Sequence, residues 1–198
     1  MDSTFQDLPT RETDTASRRL GQDLRSLRKA RGLTLAELAL QLGRSVGWLS
    51  QVERGLSEPG ISDLRALASV LDVPLGFFFA NEDASPEEQG FIVRRNARRS
   101  LGNTQDGLVE ELLSPDLGGS FEIVRSVFAP GSKIKQPAKR PTEEAGYILA
   151  GTLELTLGER RFELQAGDSF RFKDQVLLWR NPGDEPCIVI WVIAPPLY

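Results

Sequence analysis

The chain has 198 residues, with 24 Lys and Arg, 28 Asp and Glu, one Cys and no His. That length allows two modest hydrophobic cores, a single Cys excludes an internal disulfide framework, and no apolar run reaches the roughly 20 residues of a membrane span. Charge is uneven: residues 1–16 hold one basic and four acidic side chains, residues 17–80 nine and six, and residues 81–198 fourteen and eighteen, so the positive balance that favours an anionic partner is confined to the middle segment.

Residues 1–16 are polar, without an apolar period, and are expected to form a disordered tail. The start Met1-Asp2-Ser3-Thr4 has no secretion-signal core, so a cytoplasmic location is expected. From Ser17, Leu20, Leu24, Leu27 and Ala30 recur at helical spacing, with Arg18, Arg25 and Lys29 elsewhere on the helix. Thr34 and Glu37 then form a capping box, opening a second helix whose Leu35, Leu38, Ala39 and Leu42 share one face. Gly43 ends it.

Ser45 caps a third helix, in which only Leu49 and Val52 are core-directed. Val46, Gly47, Trp48, Ser50 and Gln51 are left to face outward. A helix that commits so little surface to a core suits a major groove, where Gln can hydrogen-bond an adenine edge and an apolar group can meet a thymine methyl. A loop from Gly55 to Gly60 can bring its backbone near phosphate. A fourth helix follows from about Ser62 to Leu71, with Leu64, Leu67, Ala68 and Leu71 inward. Pro74 to Phe79 is expected to close the bundle as a fifth, short helix with its three Phe in the core.

Leu-Ala-Glu-Leu-Ala at 35–39, Leu-Ser-Gln-Val-Glu-Arg-Gly at 49–55, Pro59 and Leu-Arg-Ala-Leu-Ala at 64–68 resemble, in order and spacing, the xenobiotic-response-element or Cro/C1-type helix-turn-helix family. The resemblance implies a DNA-binding domain over residues 17–80. Its contacts with double-stranded DNA would come from Thr34, Arg44, Ser45, Val46, Gly47, Trp48, Ser50, Gln51 and Arg54. It also implies an ion pair between Arg28 and Glu53.

Residues 81–90 are acidic, contain Pro86 and have no apolar period, and are expected to be a linker. Beyond them the period changes to two. Residues 91–93, 121–128, 153–157, 162–164 and 169–172 read as short strands of an all-β sandwich or barrel over residues 91–198. Arg94, Arg95, Arg98 and Arg99 form a basic cluster on a solvated edge or toward the other domain. Cys187, in an Ile- and Val-rich run, reads as a buried small hydrophobe.

Ala-Pro-Gly-Ser at 129–132, the segments 144–155 and 164–170, and Asn-Pro-Gly-Asp-Glu-Pro at 181–186 resemble the cupin family, in particular the small cupin domains fused behind this type of helix-turn-helix. The resemblance implies a jelly-roll β-barrel. In metal-binding cupins two His follow the Gly131 position, a third precedes the Asn181 position, and the Glu144 position supplies a fourth ligand. Here the His sites hold Pro137, Lys139 and Leu177 or Leu178, so neither metal nor other cofactor is expected. The segments that line the barrel mouth in cupins carry Lys139, Arg140, Glu143, Glu144, Tyr147 and Trp179. Mixed charges beside aromatics suit an amino acid, an amine or a short peptide.

The expected whole is a multidomain α plus all-β chain, a five-helix helix-turn-helix bundle followed by a cupin. It is expected to be a homodimeric transcription regulator rather than an enzyme, most readily a repressor. One such domain reads only a half-site, so two copies would read a palindromic operator. The cupin would sense a small-molecule effector. The alternative is a cupin that only dimerises; a cupin enzyme is the remotest reading.

Overall fold

The computed structural model describes residues 10–79, 85, 87–101 and 107–198. Residues 1–9 of the expected disordered tail, and residues 81–84 and 86 of the expected linker, lie outside the described residues. The chain divides into two compact units, Met1–Phe78 and Phe79–Tyr198.

Among the described residues the first unit holds four α-helices, α1 (Thr10–Ala30), α2 (Leu35–Gln41), α3 (Val46–Glu53) and α4 (Ile61–Leu71). The expected fifth helix is instead a five-residue 3-10 segment, Leu75–Phe79. Phe77 N–H donates to Pro74 carbonyl at 2.9 Å, a three-residue closure, and Gly76 opposes a longer run. Phe77 and Phe78 are buried, as expected, but Phe79 is exposed. The first helix begins at Thr10 rather than Ser17, so it takes in residues 10–16 of the expected tail: once nucleated, a helix adds residues at little cost.

Leu24, Leu27, Leu38, Leu49, Leu67, Leu71 and Phe77 form the centre of this unit. Ala30, expected inward, is exposed at the end of α1. α1 and α3 touch backbone to backbone, since a Cβ added to Gly21 would lie 2.4 Å from the Val52 carbonyl oxygen.

Among the described residues the second unit has ten strands, β1 (Arg99–Ser100), β2 (Leu108–Leu112), β3 (Glu122–Phe128), β4 (Ala138–Lys139), β5 (Glu143–Ala150), β6 (Thr152–Leu157), β7 (Arg160–Gln165), β8 (Ser169–Lys173), β9 (Val176–Arg180) and β10 (Cys187–Ala194). They form two antiparallel sheets, ordered β1-β2-β3-β10-β5-β8 and β4-β9-β6-β7. No strand forms at residues 91–93. Phe91 N–H and Ile92 N–H both donate to Glu88 carbonyl, at 3.0 and 2.9 Å, and Phe91 is 83% exposed. Local turn bonds and the Arg94–Glu88 ion pair win over the β preference of Phe, Ile and Val, which needs a neighbouring strand to act.

Alternation sets the two faces of the larger sheet. On β3, Glu122, Val124, Ser126 and Phe128 are buried; on β10, Cys187, Val189, Trp191 and Ile193. Phe128 meets Trp179 edge to face at 4.7 Å between centroids, and Phe170 meets Trp191 at 4.9 Å. Asn181, fully buried, donates from Nδ2 to the carbonyls of Phe128 and Glu185, at 3.0 and 2.9 Å, and its Oδ1 accepts from Gly183 N–H at 2.9 Å. Cys187 is buried as expected, and desolvation pushes its thiol up to about 11.

Candidate functional site

The sequence between α2 and α3 produces a tight turn. At the start of α2, Glu37 N–H donates to Thr34 Oγ1 at 3.2 Å, and Glu37 Oε2 accepts from both Thr34 N–H and Oγ1, each at 2.7 Å. These bonds hold the Glu37 carboxyl below its usual range. At the end of α2, Gly43, with φ of 63°, lets its own N–H and that of Arg44 return to the carbonyls of Leu40 and Ala39, the Schellman closure that L side chains resist. Two residues later Ser45 Oγ accepts from Trp48 N–H at 3.1 Å and opens α3.

α3 presents two faces. Leu49, Val52 and Glu53 are buried. Val46, Gly47, Gln51 and Arg54 are exposed and Ser50 is half-buried, and their spacing puts 46, 50 and 54 in one row and 47 and 51 in the next. Trp48 stands apart from these rows. Arg44 lies over its ring, 5.2 Å from the centroid, and donates from Nε and Nη2 to Asp63 Oδ1 at 2.9 and 2.6 Å. Asp63 Oδ2 also accepts from Gly60 N–H at 3.2 Å, capping α4. Asp63 therefore ties the turn to α4, a role missed in the sequence, where only its place three residues into a helix signalled a cap. Arg54 Nε reaches back to Ser50 carbonyl at 3.2 Å.

Behind the exposed row, Arg28 donates from Nε to Glu53 Oε1 at 2.6 Å and from Nη2 to Glu53 Oε2 at 2.9 Å, and its Nη1 reaches Leu33 carbonyl at 2.8 Å. The side chains are 11% and 6% exposed. The hydrogen bonds to Glu53 raise the Arg28 pKa, against desolvation, which lowers it. This bidentate pair fixes the angle of α3 on α1.

The six residues assigned to the cupin mouth do not all share one face. On β5, Glu144 points into the sandwich, whereas Glu143 and Tyr147 lie on the opposite face. Lys139 pairs in register with Val176 on an exposed edge and lies 3.9 Å from Asp174. Trp179 is core, packed on Phe128. The resemblance assigned whole segments to the mouth, whereas successive side chains of a strand such as β5 point to opposite faces.

The inner face instead carries a different set. Glu122 and Glu144 flank Ile193 in one row across β3, β10 and β5. Glu144 Oε1 accepts from Thr142 Oγ1 at 2.7 Å, and Glu122 accepts from the N–H groups of Leu197 and Tyr198 at 3.1 and 3.2 Å. Burial pushes the Glu122 carboxyl up, while those amides and the Arg140 charge pull it down. Beside them Ser126 Oγ donates to Glu110 Oε1 at 2.8 Å.

The metal that many cupins hold does not fit these residues. Lys139 is a cation on an exposed edge, Leu177 is a buried alkyl group, and Pro137 has no side-chain donor. Among the described residues no three His, Cys, Asp or Glu side chains gather as a ligand set.

The helix-turn-helix domain model matches residues 19–76, and the cupin domain model matches residues 124–193. The chain is similar to HTH-type transcriptional regulator PuuR of Escherichia coli K12, 25% identical over 151 residues, 76% of this chain and 80% of that protein. It is similar to HTH-type transcriptional regulator SutR of the same organism, 25% identical over 180 residues, 87% of this chain and 92% of that one. It is also 31% identical over 97 residues to transcriptional regulator ClgR of Mycobacterium tuberculosis, 48% of this chain and 87% of that protein.

Proposed function

The chain belongs to the helix-turn-helix transcription regulators, here with a C-terminal cupin domain, and from that premise we propose that it is a ligand-responsive repressor that binds a palindromic operator as a homodimer. The observation that carries the DNA half of this reading is α3, whose buried side is limited to Leu49, Val52 and Glu53 while Val46, Gly47, Ser50, Gln51 and Arg54 share the other. Gln51, exposed at mid-helix, reads a base edge; Val46 and Gly47 let the helix start approach the groove closely. Ser45 and Thr34 set the helix starts, and Arg44, steadied by Asp63 and Trp48, meets a phosphate beside them.

Titration of two variants against a bound sequence and against random duplex tests this assignment. Gln51→Ala is expected to lose about 1–3 kcal/mol on the specific duplex only. Arg54→Ala is expected to weaken both alike and to reduce the salt slope by about one unit. Equal losses on both duplexes for Gln51→Ala would remove α3 from the groove.

The cupin is read as the sensor rather than as an enzyme. The relatives it matches are transcription regulators, and a chain without His has none of the imidazole ligands of a metal cupin. The effector site is placed at the Glu144 end of the inner face, with Thr142, Glu122 and Arg140, where carboxylates and a guanidinium would recognise an amino acid, amine or short peptide. A screen of such compounds for a rise in melting temperature, repeated with Glu144→Gln, separates this from a cupin that only dimerises: no rise with any compound favours dimerisation alone, and an undiminished rise in Glu144→Gln moves the site elsewhere.

A further inference from the structure

The larger sheet of the cupin unit has an outer face whose composition is wrong for solvent. β10 lies between β3 and β5, and its outward residues Ile188, Ile190 and Val192 are all apolar. In register beside them stand Val127, Arg125 and Ile123 of β3 and Tyr147 and Ala145 of β5. Tyr147 is 47% exposed, Val192 40%, and Leu149, at the bulge opposite Ile188 and Val189, 54%. One charge enters the face, Arg125 beside Ile190, and it is neutralised by Glu111, which Arg98 also meets on the β2 side; on the other side Arg171 pairs with Glu143. An apolar centre with a charged rim is the anatomy of a protein interface.

We propose that this face docks on the same face of a second copy of the chain, forming the dimer that the repressor reading requires and on which this inference rests. Area decides for a second copy. Five strands at roughly 4.8 Å spacing and about seven residues at roughly 3.3 Å give a footprint of about 550 Å² per copy. Two such faces bury about 1,100 Å², above the roughly 1,000 Å² a specific interface needs. A face that meets itself also closes in one step, leaving no apolar surface to propagate into a filament. The sheet's edges are poor rivals: β8 carries Arg171 and Lys173 at one edge, and β1 at the other is two residues long, both devices that discourage strand addition.

The test is sedimentation of the full chain at micromolar concentration, with Leu149→Asp/Val192→Asp as the interface variant and Phe162→Asp, on the other sheet, as the control. Both interface positions are exposed, so the variant is expected to keep the wild-type circular dichroism. Wild type and control are expected to be dimers, and the variant a monomer with a dissociation constant raised at least about 100-fold. A folded variant that dimerises like wild type would overturn the face while leaving the dimer intact; a monomeric wild type would overturn both. Hydroxyl-radical footprinting of wild type gives an answer without any variant. Tyr147 is expected to become protected as concentration rises while Phe162 does not, and unchanged labelling of Tyr147 across the dimer transition would exclude this face.

Discussion

Arg28→Ala is expected to lower the stability of the helical unit by about 3–5 kcal/mol, because it leaves the Glu53 carboxylate buried without its guanidinium. Glu53 is 8% exposed and faces inward from the last turn of α3, so no rotation of the helix short of losing Leu49 and Val52 from the core returns it to water. The loss belongs to the orphaned charge rather than to the pair itself. Replacing both residues, as Arg28→Met/Glu53→Leu, is therefore expected to recover most of the stability. Thermal unfolding of wild type, single and double variants measures this. A double variant as unstable as the single would show that the pair contributes directly rather than by neutralising a buried group.

Gly55→Ala is expected to cost about 2–5 kcal/mol, from two causes that a companion variant separates. Gly55 has φ of 69°, a conformation that costs a Cβ-bearing residue about 1–2 kcal/mol. A Cβ there would also lie 2.5 Å from Arg18 Cα, and moving backbone against a packed helix adds about 1–3 kcal/mol. Gly32 has nearly the same φ, 68°, and open space where its Cβ would go. Gly32→Ala is therefore expected to show the conformational cost alone. Equal destabilisation of the two in chemical denaturation would mean that α1 and the end of α3 are not in close backbone contact.

These two sites show what the sequence made legible and what it did not. Caps and stops of the helical unit were readable because each is a local device: Thr34 with Glu37, Ser45, and glycines at the helix ends act within four residues, and all are found in place. The outward row of α3 was readable because burial demands apolar side chains and that helix has few. The Gly21 and Gly55 approaches to neighbouring helices carry no local signal; they follow from how α1 lies on α3. The cupin unit was harder for the same reason. Its strands alternate clearly at β3, β6 and β7, but β5 and β10 contain near-continuous apolar runs whose two faces cannot be told apart until register is known. That ambiguity hid the outer apolar face, to which Glu143 and Tyr147 belong. The strand expected at residues 91–93 failed for want of a partner, which no propensity supplies.

In the function proposed above, α3 reads DNA sequence and two copies read it together. Selection of bound duplexes from a random pool by the full-length wild-type protein, run beside Gln51→Ala, tests it most directly. Enrichment of two inverted half-sites with centres about 34 Å apart or a multiple of that distance is expected, with loss of preference at one base pair of each half-site in the variant. No enrichment, or the same enriched sequence from both proteins, would contradict it.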